Sequence, residues 1–264
     1  MLREGNGEPV VLFHGVTCSE RVWAPIAHLL SPHCEVFAPT SMGHRGGAAA
    51  RPGVKIADLV DDAEATLDQL KLDRPHLVGN SLGGWIAMEL ARRGRASSVC
   101  ALSPAGCWDV AKSGQRQATD KLKGVVRLTR ATRWALPLAS RLGVIRKFAM
   151  RENAVNGARV SSQELISMAD DLLGCTAKYD LLNTTEAMAP LKPAPCPVLL
   201  AWAEFDRIFP PEVNGPIARE LIPDAEWRVL PKVGHLPMLD DPELVAKTII
   251  DWVNAHSLTK QAAG

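Results

Sequence analysis

The sequence predicts an α/β fold, a mostly parallel sheet flanked by helices on both faces, with a helical segment inserted between two of its strands. Three observations predict it. Short apolar runs alternate with amphipathic helical stretches from residue 10 to about 103, and that rhythm marks parallel strands joined by crossover helices. The rhythm stops over residues 107–193 and then resumes. With 264 residues, 47% of them apolar and 22% charged, the chain can bury a sizeable core.

Val10-Val11-Leu12-Phe13 is a short apolar run ending at His14-Gly15, which reads as a buried strand. Val22 to Leu30 has helical spacing, and Glu35 to Pro39 is a second strand. Ile56, Leu59, Val60, Ala63, Leu67 and Leu70 recur at three- and four-residue steps with aspartates opposite, the pattern of a helix with one face on a core. A strand at His76 to Gly79, a helix from Leu82 to Arg93 and a strand from Ser98 to Ser103 follow. From Cys107 to Pro193 helical pieces are broken by single glycines and prolines, with no convincing strand. Beyond the stiff connector Pro193-Ala194-Pro195-Cys196-Pro197 come a strand at Val198 to Trp202, a helix around Gly215 to Leu221, a strand at Glu226 to Leu230 and a helix from Pro242 to about His256. Residues 1–106 and 194–264 are therefore expected to form the core, and 107–193 a helical cap.

Thirty basic side chains against 29 acidic leave a formal charge of +1, no global reason to expect a nucleic-acid partner or a membrane. Cysteines 18, 34, 100, 107, 175 and 196 show no C-x-x-C spacing and read as buried thiols. Neither a secretory leader nor a membrane span is legible, so a cytoplasmic setting is expected.

Gly79-Asn80-Ser81-Leu82-Gly83 stands where a buried strand hands over to a helix. The five-letter pattern alone would arise by chance about a tenth of a time in such a chain; its position is what gives it weight. A serine hydroxyl needs a base to become nucleophilic and a sharp turn to project it clear of the sheet. Glycines on either side let strand and helix pass closely enough to form that turn. Ser81 is thus the candidate nucleophile.

Of seven histidines, His235 alone lies in a loop after the last strand and before the final helix. It is the expected base, with His44 in reserve. Asp206 follows the strand Val198 to Trp202 by four residues and is the expected acid that orients the imidazole; Glu204 is its rival. The order Ser81, Asp206, His235 differs from the chymotrypsin and subtilisin orders. An oxyanion hole needs two converging backbone donors. Leu82, after the nucleophile, and Val16, in the loop after the first strand, are the candidates, with His14 bracing that loop.

With these residues placed, the chain resembles the α/β-hydrolases. Phe13-His14-Gly15, Gly79 to Gly84, Asp206-Arg207-Ile208-Phe209-Pro210 and Gly234 to Pro242 each resemble a family block, and they occur in family order. The resemblance implies an eight-stranded, mostly parallel sheet with the cap after the sixth family strand, and carboxylic ester hydrolysis through a covalent acyl-serine. Family members that open epoxides or remove halides use an aspartate nucleophile, where this chain has Ser81. Asn80 and Arg207 are similar to residues of serine hydrolases that cleave carbon–carbon bonds in ring-fission diketones, although Leu236 departs from their aromatic residue. A hydrolase-fold receptor with little turnover is the third reading. Only 13 residues precede His14, which implies a shortened sheet edge or an incomplete start, and the loop Thr40 to Gly47 lacks the family's aspartate.

Trp108, Trp134, Phe209 and Met238 are candidates to line an apolar acyl pocket, the substrate being a small acyl compound. From Lys112 to Arg151 basic residues crowd the insertion, with Asp120 the only acid among them. They form either a solvated face or an attraction for anions, an acidic membrane surface among these. No phosphate-binding glycine loop or metal-ligand spacing is present, so no cofactor or metal is expected.

Overall fold

The computed structural model describes residues 1–109 and 115–257, with the backbone alone for 115–122. Strands β1 (Leu2–Glu4) and β2 (Pro9–Phe13) precede α1 (Ala24–Leu30), which a 3-10 turn, Glu20–Trp23, leads into. The chain continues through β3 (Glu35–Ala38), α2 (Ile56–Gln69), β4 (His76–Asn80), α3 (Leu82–Arg92) and β5 (Ser98–Leu102). Among the described residues five helices separate β5 from the next strand: α4 (Gln115–Thr132), α5 (Leu136–Ala139), α6 (Gly143–Met150), α7 (Ser162–Gly174) and α8 (Lys178–Leu182). The alternation then returns with β6 (Val198–Ala203), α9 (Pro211–Leu221), β7 (Glu226–Leu230), α10 (Pro237–Asp240) and α11 (Pro242–Ala255).

The sheet has seven strands in the order β1-β3-β2-β4-β5-β6-β7, all parallel except the edge strand β1, which runs antiparallel to β3. Among the described residues the sheet has seven strands, where the family resemblance implies eight and the short start a reduced edge. The strand β1 escapes sequence reading because three residues, two of them exposed, carry no apolar periodicity.

Both faces of the sheet are covered, which is why the central strands read as unbroken apolar runs. Side chains alternate between two core layers with period two. Val11, Phe13, Leu77, Val99, Ala101, Leu200 and Trp202 pack with α2, α3 and the end of α9. Val10, Leu12, Val78, Cys100, Leu102, Leu199 and Ala201 pack with α1 and α11. Each fully buried Leu, Val or Phe contributes roughly 1.5–3 kcal/mol of transfer free energy, so this double layer fixes the strand register. Two helix starts differ from expectation. The Val22 stretch opens as the 3-10 turn, and α9 begins at Pro211, where a proline is tolerated because the first turn has no carbonyl partner for its missing N–H.

Segment 107–193 is helical throughout its described elements, and α7 contacts both α4 and α5. Two buried carboxylates seat it on the rest of the chain. Asp171 on α7 accepts from Ser19 Oγ (2.5 Å) and Arg45 Nη1 (3.0 Å), in the loops after β2 and β3, and from Arg21 Nη1 (3.4 Å) in the 3-10 turn. Asp240 accepts from the N–H groups of Val155 (2.9 Å) and Asn156 (2.6 Å) and from Gly234 N–H (2.8 Å), beside His235.

Candidate active site

Ser81 sits between β4 and α3 with φ +57° and ψ −118°, a backbone state that L residues rarely adopt. Close approach of the neighbouring segments enforces it. A Cβ on Gly83 would lie 2.0 Å from Phe13 O, and one on Gly79 2.1 Å from Gly83 O, so only glycines let α3 start against the end of β2. Backbone bonds then lock the turn: Ser81 N–H donates to Leu102 O (3.0 Å), and Ser81 O accepts from Ala105 N–H (2.9 Å).

Asp206 has a side chain with no solvent exposure. Its Oδ1 accepts from the N–H groups of Ile208 (2.9 Å) and Phe209 (2.8 Å), and its Oδ2 bonds His235 Nδ1 (2.7 Å). With Nδ1 held as the donor to a carboxylate, Nε2 carries the lone pair and can accept a proton. Glu204, the rival acid, instead accepts Lys232 N–H on the surface (2.8 Å).

A link between serine turn and imidazole runs through Asn80. Its Nδ2 donates both to Leu102 O (3.1 Å) and to His235 O (2.9 Å), placing the histidine's backbone against the residue before Ser81. Among the described residues no hydrogen bond joins Ser81 Oγ to His235.

Over the serine passes the loop after β2. A Cβ on Gly15 would meet Ser81 Cβ at 3.3 Å, so Val16 follows directly from the point of closest approach. Leu82 is the first residue of α3, and its N–H has no carbonyl a turn earlier to bind. The loop is pinned by His14, which bonds Gly15 O through Nδ1 (2.8 Å) and accepts Ser41 N–H at Nε2 (3.1 Å). Burial, aided by the neighbouring His44, drives the His14 pKa down to about 3, so it stays neutral. Where the Thr40–Gly47 loop lacks its own aspartate, Asp62 on α2 accepts Met42 N–H (3.0 Å) and supplies the support.

Aromatic side chains cluster beside His235. Phe209 meets the His235 ring in a T-shaped contact at 5.2 Å, and Trp108 lies 5.7 Å from Phe209.

A family model described as "Alpha/beta hydrolase family" matches residues 10–248. The chain belongs to the alpha/beta hydrolase family. Among relatives of this alpha/beta hydrolase, Epoxide hydrolase EphH of Mycobacterium tuberculosis is 31% identical over 201 residues, 75% of this chain and 94% of that protein. A putative carbamate hydrolase, RutD of Pantoea ananatis, is 26% identical over 262 residues, 97% of this chain and 91% of that protein. A thermophilic esterase from Thermogutta terrifontis superposes with a TM-score of 0.72 at 24% identity, covering 97% of this chain and 92% of its own, a likeness of fold.

Not every residue expected to line a pocket joins the aromatic cluster of this hydrolase. Trp134 stands 84% exposed on segment 107–193, and Met238 is fully buried in the core layer of α1 and α11. Met238 follows His235 by three residues, but α10 turns its side chain into that core, so nearness in sequence misleads. Arg207 donates to Arg151 O (3.0 Å), tying the Asp206 loop to the inserted segment. Asn80, Asp171 and Asp240 are supports that sequence reading missed. The one available signal was chemical: a polar residue inside an otherwise apolar strand, as Asn80 is, needs buried partners. Among the described residues no group of three His, Cys, Asp or Glu side chains is placed to hold a metal ion.

Proposed function

We propose that this alpha/beta hydrolase cleaves carboxylic esters of small apolar acids through a covalent acyl-serine. His235 Nε2 takes the proton of Ser81 Oγ as that oxygen bonds to the substrate carbonyl carbon. The carbonyl π pair moves onto its oxygen, and the N–H groups of Val16 and Leu82 hold the resulting oxyanion, each worth roughly 3 kcal/mol of barrier. Collapse expels the alkoxide, which takes the proton from His235. Water, deprotonated by His235, then attacks the acyl-enzyme, and the acid leaves as Ser81 regains its proton. Asp206 stabilises the imidazolium in both halves. Trp108 and Phe209 offer the acyl group an apolar wall, and residues 107–193 act as the cap over it.

The observation that carries this reading is the fully buried Asp206 carboxylate, satisfied by two N–H groups and by His235 Nδ1, with His235 tied through Asn80 to the strained Ser81 turn. The relative named an epoxide hydrolase does not alter it, because a serine at position 81 offers an acyl-accepting hydroxyl where aspartate-dependent ring opening needs a carboxylate. Six unpaired thiols suit a reducing, cytoplasmic setting.

A panel of nitrophenyl esters of varied chain length, run beside a ring-fission diketone and a simple epoxide, tests the proposal. We expect ester turnover that Ser81→Ala abolishes while leaving the circular dichroism spectrum unchanged. Full activity in Ser81→Ala, or turnover of the epoxide alone, would refute it; turnover confined to the diketone would make this a carbon–carbon hydrolase, and one equivalent of product per chain a receptor.

A further inference from the structure

Exposed apolar side chains are not scattered over this molecule. Of the 14 large hydrophobic residues exposed among the described ones, seven lie between Val125 and Phe148. They recur at helical spacing. Trp134, Leu138 and Leu142 stand four residues apart along the turns around α5, with exposures of 84%, 71% and 59%. On α6, Val144 and Phe148 repeat the four-residue step, and Val125 and Leu128 do so at three residues on α4. An indole left this open is at odds with a merely solvated face, which single small contacts would satisfy.

Charge says what such a surface fits. Residues 121–151 contain no aspartate or glutamate and nine lysines or arginines. Four of the nine are engaged within the protein: Arg133 with Asp170 (2.5 Å), Arg146 with the carbonyls of Ser140 (2.7 Å) and Ala158 (3.0 Å), Arg151 with Glu152 (3.5 Å) and Phe148 O (2.9 Å), and Lys123. Arg127, Arg130, Arg141 and Lys147 are exposed and meet no carboxylate among the described residues. Lys112 lies outside those residues, as do the side chains of Arg116 and Lys121.

From this pairing of bulky apolar groups with unanswered cations we infer that the α4–α6 surface docks on an anionic lipid layer. Trp134, Leu138 and Phe148 would enter the boundary between headgroups and acyl chains, and the guanidinium groups would meet the phosphates while their methylene stems cover apolar surface. A second copy of the chain is the poorer occupant. A two-fold contact would lay this patch on its own image, cation against cation, with no acid between residues 121 and 151 to relieve the repulsion. No helix among the described residues is long and apolar enough to cross a membrane, so the attachment is peripheral.

Sedimentation of the full chain with vesicles tests the inference without reference to any reaction. Binding to phosphatidylcholine vesicles carrying phosphatidylglycerol is expected at low salt, with a blue shift of tryptophan emission, and little binding to phosphatidylcholine alone. Each cation near such a surface is worth about five-fold in affinity, so Arg127→Gln, Arg130→Gln and Arg141→Gln together should weaken binding roughly 100-fold. Trp134→Ser with Leu138→Ser should remove both the blue shift and at least ten-fold of the affinity; all these positions are exposed, so the melting temperature should hold. No sedimentation with anionic vesicles, equal binding to both vesicle types, indifference to either set of substitutions, or a stable dimer that protects Trp134 from quenching would each overturn it.

Discussion

Asp206 fixes which nitrogen of His235 carries a proton, and at the scale of single residues that is the strongest constraint in the site. Its two oxygens divide the work, Oδ1 taking two backbone N–H groups and Oδ2 the imidazole. Asp206→Asn can keep the Oδ1 contacts but turns an NH2 toward Nδ1, which forces the opposite tautomer and leaves Nε2 unable to accept a proton. We expect kcat on esters to fall about 10⁴-fold with little change in KM or in the melting temperature. A loss below ten-fold would remove Asp206 from the role. Ser81 yields a second prediction, because φ +57° strains any residue with a Cβ. Both Ser81→Ala and Ser81→Gly should be inactive, but Ser81→Gly should be the more stable of the two by about 1 kcal/mol in urea unfolding. Equal stabilities would mean that the turn stores no strain. Ser81, Asp206 and His235 each follow a strand end, so chain order alone marks them as candidates, and the structure joins Asp206 to His235 (2.7 Å). Asn80 and Asp240 were not legible as supports, since a buried polar group shows its partners only after folding, and Asn80 finds one 155 residues away.

At the scale of elements, the sequence reads well wherever burial writes a period. All six strands from β2 to β7 and helices α2, α3 and α11 lie within a residue or two of their predicted bounds, because each has an apolar face that must meet the core. The α9 boundary differs, the helix starting at Pro211 where apolar spacing marks it only from about Gly215, and β1 is missed for want of any apolar face. The join of β2, β4 and α3 is the least forgiving place in the fold. A methyl group on Gly83 would sit 2.0 Å from Phe13 O, a backbone atom that cannot rotate away. Gly83→Ala should therefore cost about 3 kcal/mol or more, whereas Gly124→Ala, whose Cβ meets open space in an exposed helix, should stabilise by up to about 1 kcal/mol. Urea midpoints of the two variants compare them directly, and a Gly83→Ala protein as stable as the wild type would show that α3 can lift off β2.

For the molecule as a whole, the helical run between β5 and β6 coincides with the interruption of rhythm in the sequence, but the contacts that seat it do not show there. Asp171 meets Ser19 across 152 residues and Asp240 meets Val155 across 85, and nothing in the local sequence around either carboxylate announces it. The loops that receive the segment are held by buried neutral histidines, and this sets how the molecule responds to acid. His14 in the unfolded chain takes up a proton near pH 6.5, whereas in the folded chain desolvation by burial, and then His44, delay that uptake to about pH 3. Between those values the unfolded chain binds the extra proton, so acid favours unfolding and the stability conferred by neutral His14 is complete only above pH 6.5. His44 and His76, whose pKa values burial also lowers, act in the same direction. From His14 alone the loss is up to about 1.4 kcal/mol per pH unit, roughly 2 kcal/mol between pH 6.5 and 5. His14→Gln keeps a neutral polar group in the loop and removes the proton uptake. It should lower stability at pH 7.5, where Ser41 N–H loses a well-placed acceptor, yet flatten the decline toward pH 5 by about that 2 kcal/mol. Unfolding free energies of both proteins at the two pH values decide the matter: parallel declines would show that the loop yields to acid through some other group.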